Sequence, residues 1–141
     1  MIERIISGIL EALHEEFGEG YRLYTETVEQ GLQEPCFFIF CINPNIRLFR
    51  GRRYQNTNQF SIQYLSDKDE AMTDCNRIAE RLFSCLELIP VAGDLLRGTN
   101  MEANIVDNVL TYTVNYDYFS YVPNAETKME SLEDGGTEVK E

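Results

Sequence analysis

The chain has 141 residues and a formal charge of −12, enough length for one domain with a real core and no need of disulfides or metals. Apolar and charged fractions of 43% and 26% sit near the globular average, which excludes wholesale disorder. The acidic balance disfavours nucleic acid and anionic lipid as partners, and no run of about 18 apolar residues offers a membrane span.

The opening Met1-Ile2-Glu3-Arg4 lacks the basic region, apolar run and small-residue site of a signal peptide. Ile2, Ile5, Ile6, Ile9, Leu10, Leu13 and Phe17 then recur at three- and four-residue steps, which predicts an amphipathic helix. Gly18 and Gly20 supply its stop. Tyr21 to Val28 alternates weakly, as a part-exposed strand does, and a turn is expected around Gln30-Gly31.

Cys36 to Ile42 is a continuous apolar run, too short for a good helix, and is expected centrally in a sheet with both faces covered. Asn43-Pro44-Asn45 reads as a turn, Ile46 to Arg53 as a return strand and Tyr54 to Asn58 as a polar loop. Gln59 to Leu65 alternates cleanly, with Phe60, Ile62 and Tyr64 on one face. Ser66 or Asp67 can cap a second helix, whose stripe is Ala71, Cys75, Ile78, Ala79, Leu82, Phe83 and Leu86. Pro90 and Gly93 end it, and a short strand is expected at Leu95 to Arg97.

A hairpin follows whose register can be read. A two-residue turn at Asp107-Asn108 sets Ile105 opposite Leu110, Ala103 opposite Tyr112 and Met101 opposite Val114. On the other face Asn104 meets Thr111 and Glu102 meets Thr113, so apolar pairs with apolar and polar with polar. Tyr112 and Tyr116 fill core on this reading, while Tyr118 and Tyr121 can present amphipathic area to a partner. From Pro123 the composition changes: six acids stand against two lysines, and large apolar groups are few. We read residues 1–122 as a single α+β domain and 123–141 as a disordered acidic tail. The element order and short links imply a mostly antiparallel sheet with both amphipathic helices packed on one face.

No chemistry-bearing constellation emerges. His14, the single histidine, stands among Glu11, Glu15 and Glu16, where a solvated surface residue is the plain reading. Cys36 and Cys41 point to opposite faces of a strand, and Cys75 and Cys85 lie roughly 15 Å apart along a helix, so neither pair begins a metal site. All four read as buried thiols of a reducing cytosol. Gly18-Glu19-Gly20 follows a helix instead of a strand, the reverse of a phosphate-cradling order. No catalytic residue, metal or cofactor is expected.

The one unusual cluster is Arg47, Arg50, Arg52 and Arg53, four of only twelve basic residues within seven positions. Charge that protects a strand edge is one explanation. The second is an interface with an acidic patch on a neighbouring subunit, since guanidinium forks suit carboxylates. Nucleic-acid contact is the third and is disfavoured by the net charge.

Several phrases together resemble a known family. They are Tyr24-Thr25-Glu26, Val28-Glu29-Gln30-Gly31-Leu32, Pro35-Cys36-Phe37-Phe38-Ile39, the arginine-rich strand, Phe60-Ser61-Ile62-Gln63-Tyr64 and the closing Thr111 to Tyr118 strand. The chain in this respect is similar to the small tail terminator, or tail completion, proteins of long-tailed phages and prophages of Gram-positive bacteria. The resemblance runs through most of residues 1–122 and rests on whole-chain pattern. It implies a sheet flanked by helices, and a ring, commonly of six copies, that caps the tail tube and gives the head-side connector a docking surface. It also implies residence in the host cytoplasm and then in the virion tail, with self, tail tube protein and head–tail connector as partners. Under it, Arg47, Arg50, Arg52 and Arg53, with Tyr24 and Glu26, are expected to contribute to the subunit interface. Another head–tail joining protein, a tail tube subunit, or a small monomeric ligand-binding or regulatory module are the alternatives.

Overall fold

A computed structural model describes residues 1–26 and 33–122; the expected turn at Gln30-Gly31 and the acidic tail lie outside the described residues. These residues divide into two compact units: Met1–Pro44 with Asn58–Tyr116, and Asn45–Thr57 with the chain from Asp117.

In the first unit, α1 (Ile2–Phe17) buries Ile5, Ile9, Ala12, Leu13 and Phe17, the centre of the predicted stripe. Gly18, at φ 79°, ends it in the left-handed region that glycine enters without strain. The helix α2 (Ala71–Cys85) buries Asp74, Cys75, Ile78, Ala79 and Leu82. Its start is not capped as expected, for the Glu70 N-cap makes no side-chain bond. The expected cap Ser66 is engaged elsewhere, donating to the Asp74 carboxylate at 2.6 Å.

The sheet order is β1 (Arg22–Tyr24), β2 (Cys36–Arg50), β3 (Arg53–Leu65), β6 (Val109–Tyr116), β5 (Asp94–Val106), β4 (Leu88–Val91). The ladders β3–β6, β6–β5 and β5–β4 are antiparallel, and the two helices pack on the sheet's core face. The α+β class expected from the element order is therefore the fold. One ladder departs from the antiparallel expectation. β1 runs parallel to β2, with Leu23 opposite Phe37, and stops at Tyr24, short of Thr25 and Glu26; the last two residues of the strand expected over Tyr21 to Val28 lie outside the described residues.

Phe60, Ile62 and Tyr64 of β3 and Leu110, Tyr112, Val114 and Tyr116 of β6 are fully buried, as period-two alternation requires. On β2 the same rule sets buried Phe37 and Ile39 on one face and half-buried Phe38 and Phe40 on the other, where Cys36 at the strand start is buried as well. The run is thus fully covered along one face and only partly along the other, where Cys36 alone is fully buried. A continuous apolar string here reflects a Phe38–Phe40 ring pair, 5.1 Å between centroids, on the face without helices.

The hairpin at Asp107-Asn108 has the predicted register from Val106 and Val109 out to Glu102 and Thr113. Both turn residues take positive φ, 54° and 63°, the geometry of a two-residue turn whose twist matches the strands. Beyond Glu102 a bulge resets the ladder to Thr99–Asn115 and Gly98–Tyr116, so Met101 does not pair with Val114. The short strand expected at Leu95 to Arg97 belongs to the longer β5. Pro90 lies within the end strand β4, where a missing N–H is tolerated, so the helix stops earlier, at Cys85. Gly8 lets α1 reach β4: a Cβ there would overlap the Pro90 carbonyl oxygen.

The largest correction falls on residues 43–58. Asn43-Pro44-Asn45 is not a turn and Tyr54 to Asn58 is not a loop; β2 runs unbroken to Arg50 and β3 begins at Arg53. Extended backbone accommodates proline's fixed φ, and Pro44 is exposed. Asn56 and Asn58, polar enough to suggest a loop, are buried with their amides bonded. The turn lies instead at Gly51-Arg52, with Gly51 at φ 58°.

A basic and aromatic hairpin as candidate assembly interface

The second unit is built from residues 45–50 of β2, 53–57 of β3 and β7 (Tyr118–Tyr121), which pairs antiparallel with β3. Its register sets Arg53 opposite Tyr121 and Gln55 opposite Phe119. Directly opposed residues share a face, so an arginine and two aromatic rings are brought together from positions over 60 apart in sequence.

Arg50, Arg52 and Arg53 lie at or beside the turn and Arg47 four positions before it, and among the described residues each that has a partner engages a neutral group. Arg53 stacks over the Phe119 ring at 4.4 Å and Arg52 over Tyr121 at 5.0 Å. Arg52 also donates to the Tyr121 hydroxyl at 2.5 Å, and Arg47 donates to Gln55 Oε1 at 3.3 Å. Cation–π contacts at exposed sites contribute about 0.5–1 kcal/mol each, enough to orient a guanidinium without discharging it. The ion pairs found among the described residues join Lys68–Asp67, Arg77–Asp74, Arg81–Glu16 and Arg97–Glu87. The hairpin therefore offers oriented cations with donors to spare.

Apolar area accompanies this charge. Ile46, Leu48 and Phe49 are 60%, 59% and 53% exposed, and Tyr121 is 64% exposed. Phe49 meets Phe119 edge-to-face at 5.1 Å. Apolar side chains over half exposed on successive strand positions, interleaved with arginine, have the composition of an interface core. Sequence reading picked out the arginines and Tyr121, and missed Ile46, Leu48, Phe49 and Phe119. The signal was present in the alternation Ile46-Arg47-Leu48-Phe49-Arg50, once it is read as a strand end instead of a strand between two loops.

Tyr24 and Glu26, the other expected interface residues, belong to the first unit. Tyr24 is half-buried on β1 and its hydroxyl accepts from the Gln33 backbone N–H at 3.3 Å; Glu26 is exposed.

His14 is exposed on α1. Cys36 and Cys75 are buried free thiols; burial pushes both up in pKa, as it does Cys85, which reaches about 12. Among the described residues no group of three His, Cys, Asp or Glu side chains is placed to hold a metal, and no helix is long and apolar enough to cross a membrane.

One depression of about 330 Å³ is lined by Lys68, Asp69, Glu70, Thr73, Asp74 and Arg77. Its deepest group, Asp74, is 1% exposed. Asp74 Oδ2 accepts from the Tyr64 hydroxyl at 2.5 Å and from Ser66, and Oδ1 accepts from Arg77. Burial pushes its pKa up, but the Ser66 and Tyr64 bonds, and then the Arg77 charge, outweigh this and hold the carboxyl below its usual range. Its acceptors are committed to tying α2 to β3, which is a structural task.

Comparison with known proteins gives one informative result. A family model described as "Phage tail terminator protein" matches residues 4–128. No curated protein matches. A solved structure whose name states no function aligns over 86% of this chain and 97% of its own, at 11% identity and a TM-score of 0.40, and bears on neither fold nor function.

Proposed function

Because the chain belongs to the phage tail terminator protein family, we propose that its copies close into a ring of about six that caps the tail tube and receives the head-side connector. The family match over residues 4–128 carries this reading. Its task is structural, within the phage tail, and no catalytic step is assigned to it.

A closed ring needs a head-to-tail contact, in which two different patches of each subunit meet. The basic and aromatic hairpin supplies one of them. Arg47, Arg50, Arg52 and Arg53 seek carboxylates, and the rest of a chain that carries −12 overall offers many. Ile46, Leu48 and Phe49 add the apolar burial that charge alone does not give, since exposed ion pairs are worth only about 0.2–1 kcal/mol. Tyr24 and Glu26 contribute to the second patch.

Solution mass by chromatography with light scattering, over a wide concentration range, tests the ring. The expected result is a discrete species of fixed mass that takes up no further copies. Growth into polymers of indefinite length would contradict a terminator and indicate a tube subunit.

A further inference from the structure

We propose that neighbouring copies join by strand addition: the β2 end of one hairpin, Ile46 to Arg50, pairs along the edge of β5 from Glu102 to Val106 in the next copy. The inference rests on the ring reading and names elements that meet in it. β6 runs along β5 as far as Val106, whereas β4 covers the other side of β5 only from Asp94 to Arg97. Among the described residues no strand pairs with β5 on that side beyond Arg97. Exposure marks the edge as open. Ala103 and Ile105 stand half-buried opposite fully buried Tyr112 and Leu110, so the core is left uncovered at this strand. Common protections of an edge are missing here, since Glu102 to Val106 holds no lysine or proline and lies past the bulge.

The ladder also fixes which backbone groups face the open side. In a two-residue hairpin the residues that flank the turn, Val106 and Val109, form a hydrogen-bonded pair. Pair types alternate from there, so Ala103 and Ile105 fall at non-hydrogen-bonded positions and turn their N–H and C=O groups away from β6. Those are the groups that a guest strand bonds. Chemistry selects the guest. The stretch 98–108 carries Glu102 and Asp107 and no base, whereas 46–53 carries four arginines and no acid. Two β5 edges set together would oppose acid to acid, and two hairpins would oppose arginine to arginine. The mixed pairing joins unlike charge, and a mixed pairing is the head-to-tail contact that closes a ring. Side chains agree. Ile46 and Leu48, 60% and 59% exposed, continue the apolar row of Ala103 and Ile105, and Arg47 then stands in the row of Glu102 and Asn104. On β2 itself β1 reaches only Cys36 to Phe38, so among the described residues the outer side of Ile46 to Arg50 pairs with no strand.

The test is self-association of the full chain and its variants, measured by sedimentation, with circular dichroism to confirm the fold. Ala103→Pro removes one outward N–H and leaves the β6 ladder whole, so the variant should fold and associate about tenfold or more weakly. Glu102→Arg should weaken association as well, and Arg47→Glu introduced into the same chain should restore it. That double variant does not depend on the strand's tolerance of proline. A ring that survives Ala103→Pro undiminished, or a charge reversal that Arg47→Glu does not rescue, would overturn this pairing and leave the ring reading standing. An unaltered chain that stays monomeric at every concentration would contradict the ring reading, and the pairing with it.

Discussion

Replacing Asp74 by alanine is expected to lower stability by about 2–4 kcal/mol, the cost of leaving one buried and one part-buried hydroxyl without their acceptor. For a domain of this size that corresponds to a fall of roughly 6–16 °C in Tm, read by thermal unfolding. The size of the effect follows from what is left behind. The Tyr64 hydroxyl, on a fully buried ring, loses its acceptor, as does Ser66. Arg77 is 52% exposed and returns to solvent at little cost, so most of the loss belongs to the buried Tyr64 bond and a smaller share to the part-buried Ser66 bond.

The same carboxylate gives a pH dependence with a defined sign. Its folded pKa is held below the unfolded value by Ser66, Tyr64 and Arg77 against the opposing effect of burial. Its contribution is therefore complete above the unfolded value of about 3.9 and is lost as pH falls through the lowered folded one. Asp74→Asn, which cannot titrate, should flatten stability across that acid range. A variant whose acid unfolding followed the unaltered chain would show that other carboxylates govern it.

The second large effect is on assembly. Substituting Arg50→Glu and Arg52→Glu together removes two attractions and places like charges against an acidic neighbour. The combined cost is roughly 3 kcal/mol at the interface, or about a hundredfold weaker association. Melting should change little, because Arg50 is exposed and Arg52 contributes one surface bond to Tyr121. Sedimentation at two salt concentrations reads both: the unaltered chain should weaken as salt rises, and the variant should be nearly insensitive. Assembly equal to that of the unaltered chain at both salts would remove the hairpin from the interface.

Local pattern carried much of this fold. The stripes of α1 and α2 needed only period 3.6, and the Asp107-Asn108 hairpin declared its register through matched faces. Residues 43–58 were misread because Asn, Pro and polar runs signal turns locally, whereas pairing with β3 and β7 decides the matter at long range. The parallel β1–β2 ladder is likewise a tertiary choice that no neighbouring residue announces. Asp74 was hidden for a different reason. It sits three residues after Ala71 and four before Ile78, within the apolar stripe, but an acid near a helix start reads as a dipole partner in solvent. Its partner Tyr64 lies on another element, and only the fold joins them.

The arginine cluster was legible from composition, and its geometry was not. Nothing between Arg53 and Phe119 in sequence foretells that β7 returns to set those two side chains in contact. The family resemblance, by contrast, was readable in dispersed phrases, and the match over residues 4–128 supports it.

The most direct test of the central claim is electron microscopy of this protein mixed with tail tubes and free tube subunits. The account predicts a single ring seated at one end of each tube, with elongation at that end arrested. Tubes that keep growing past the added protein, or that incorporate it along their walls, would contradict it.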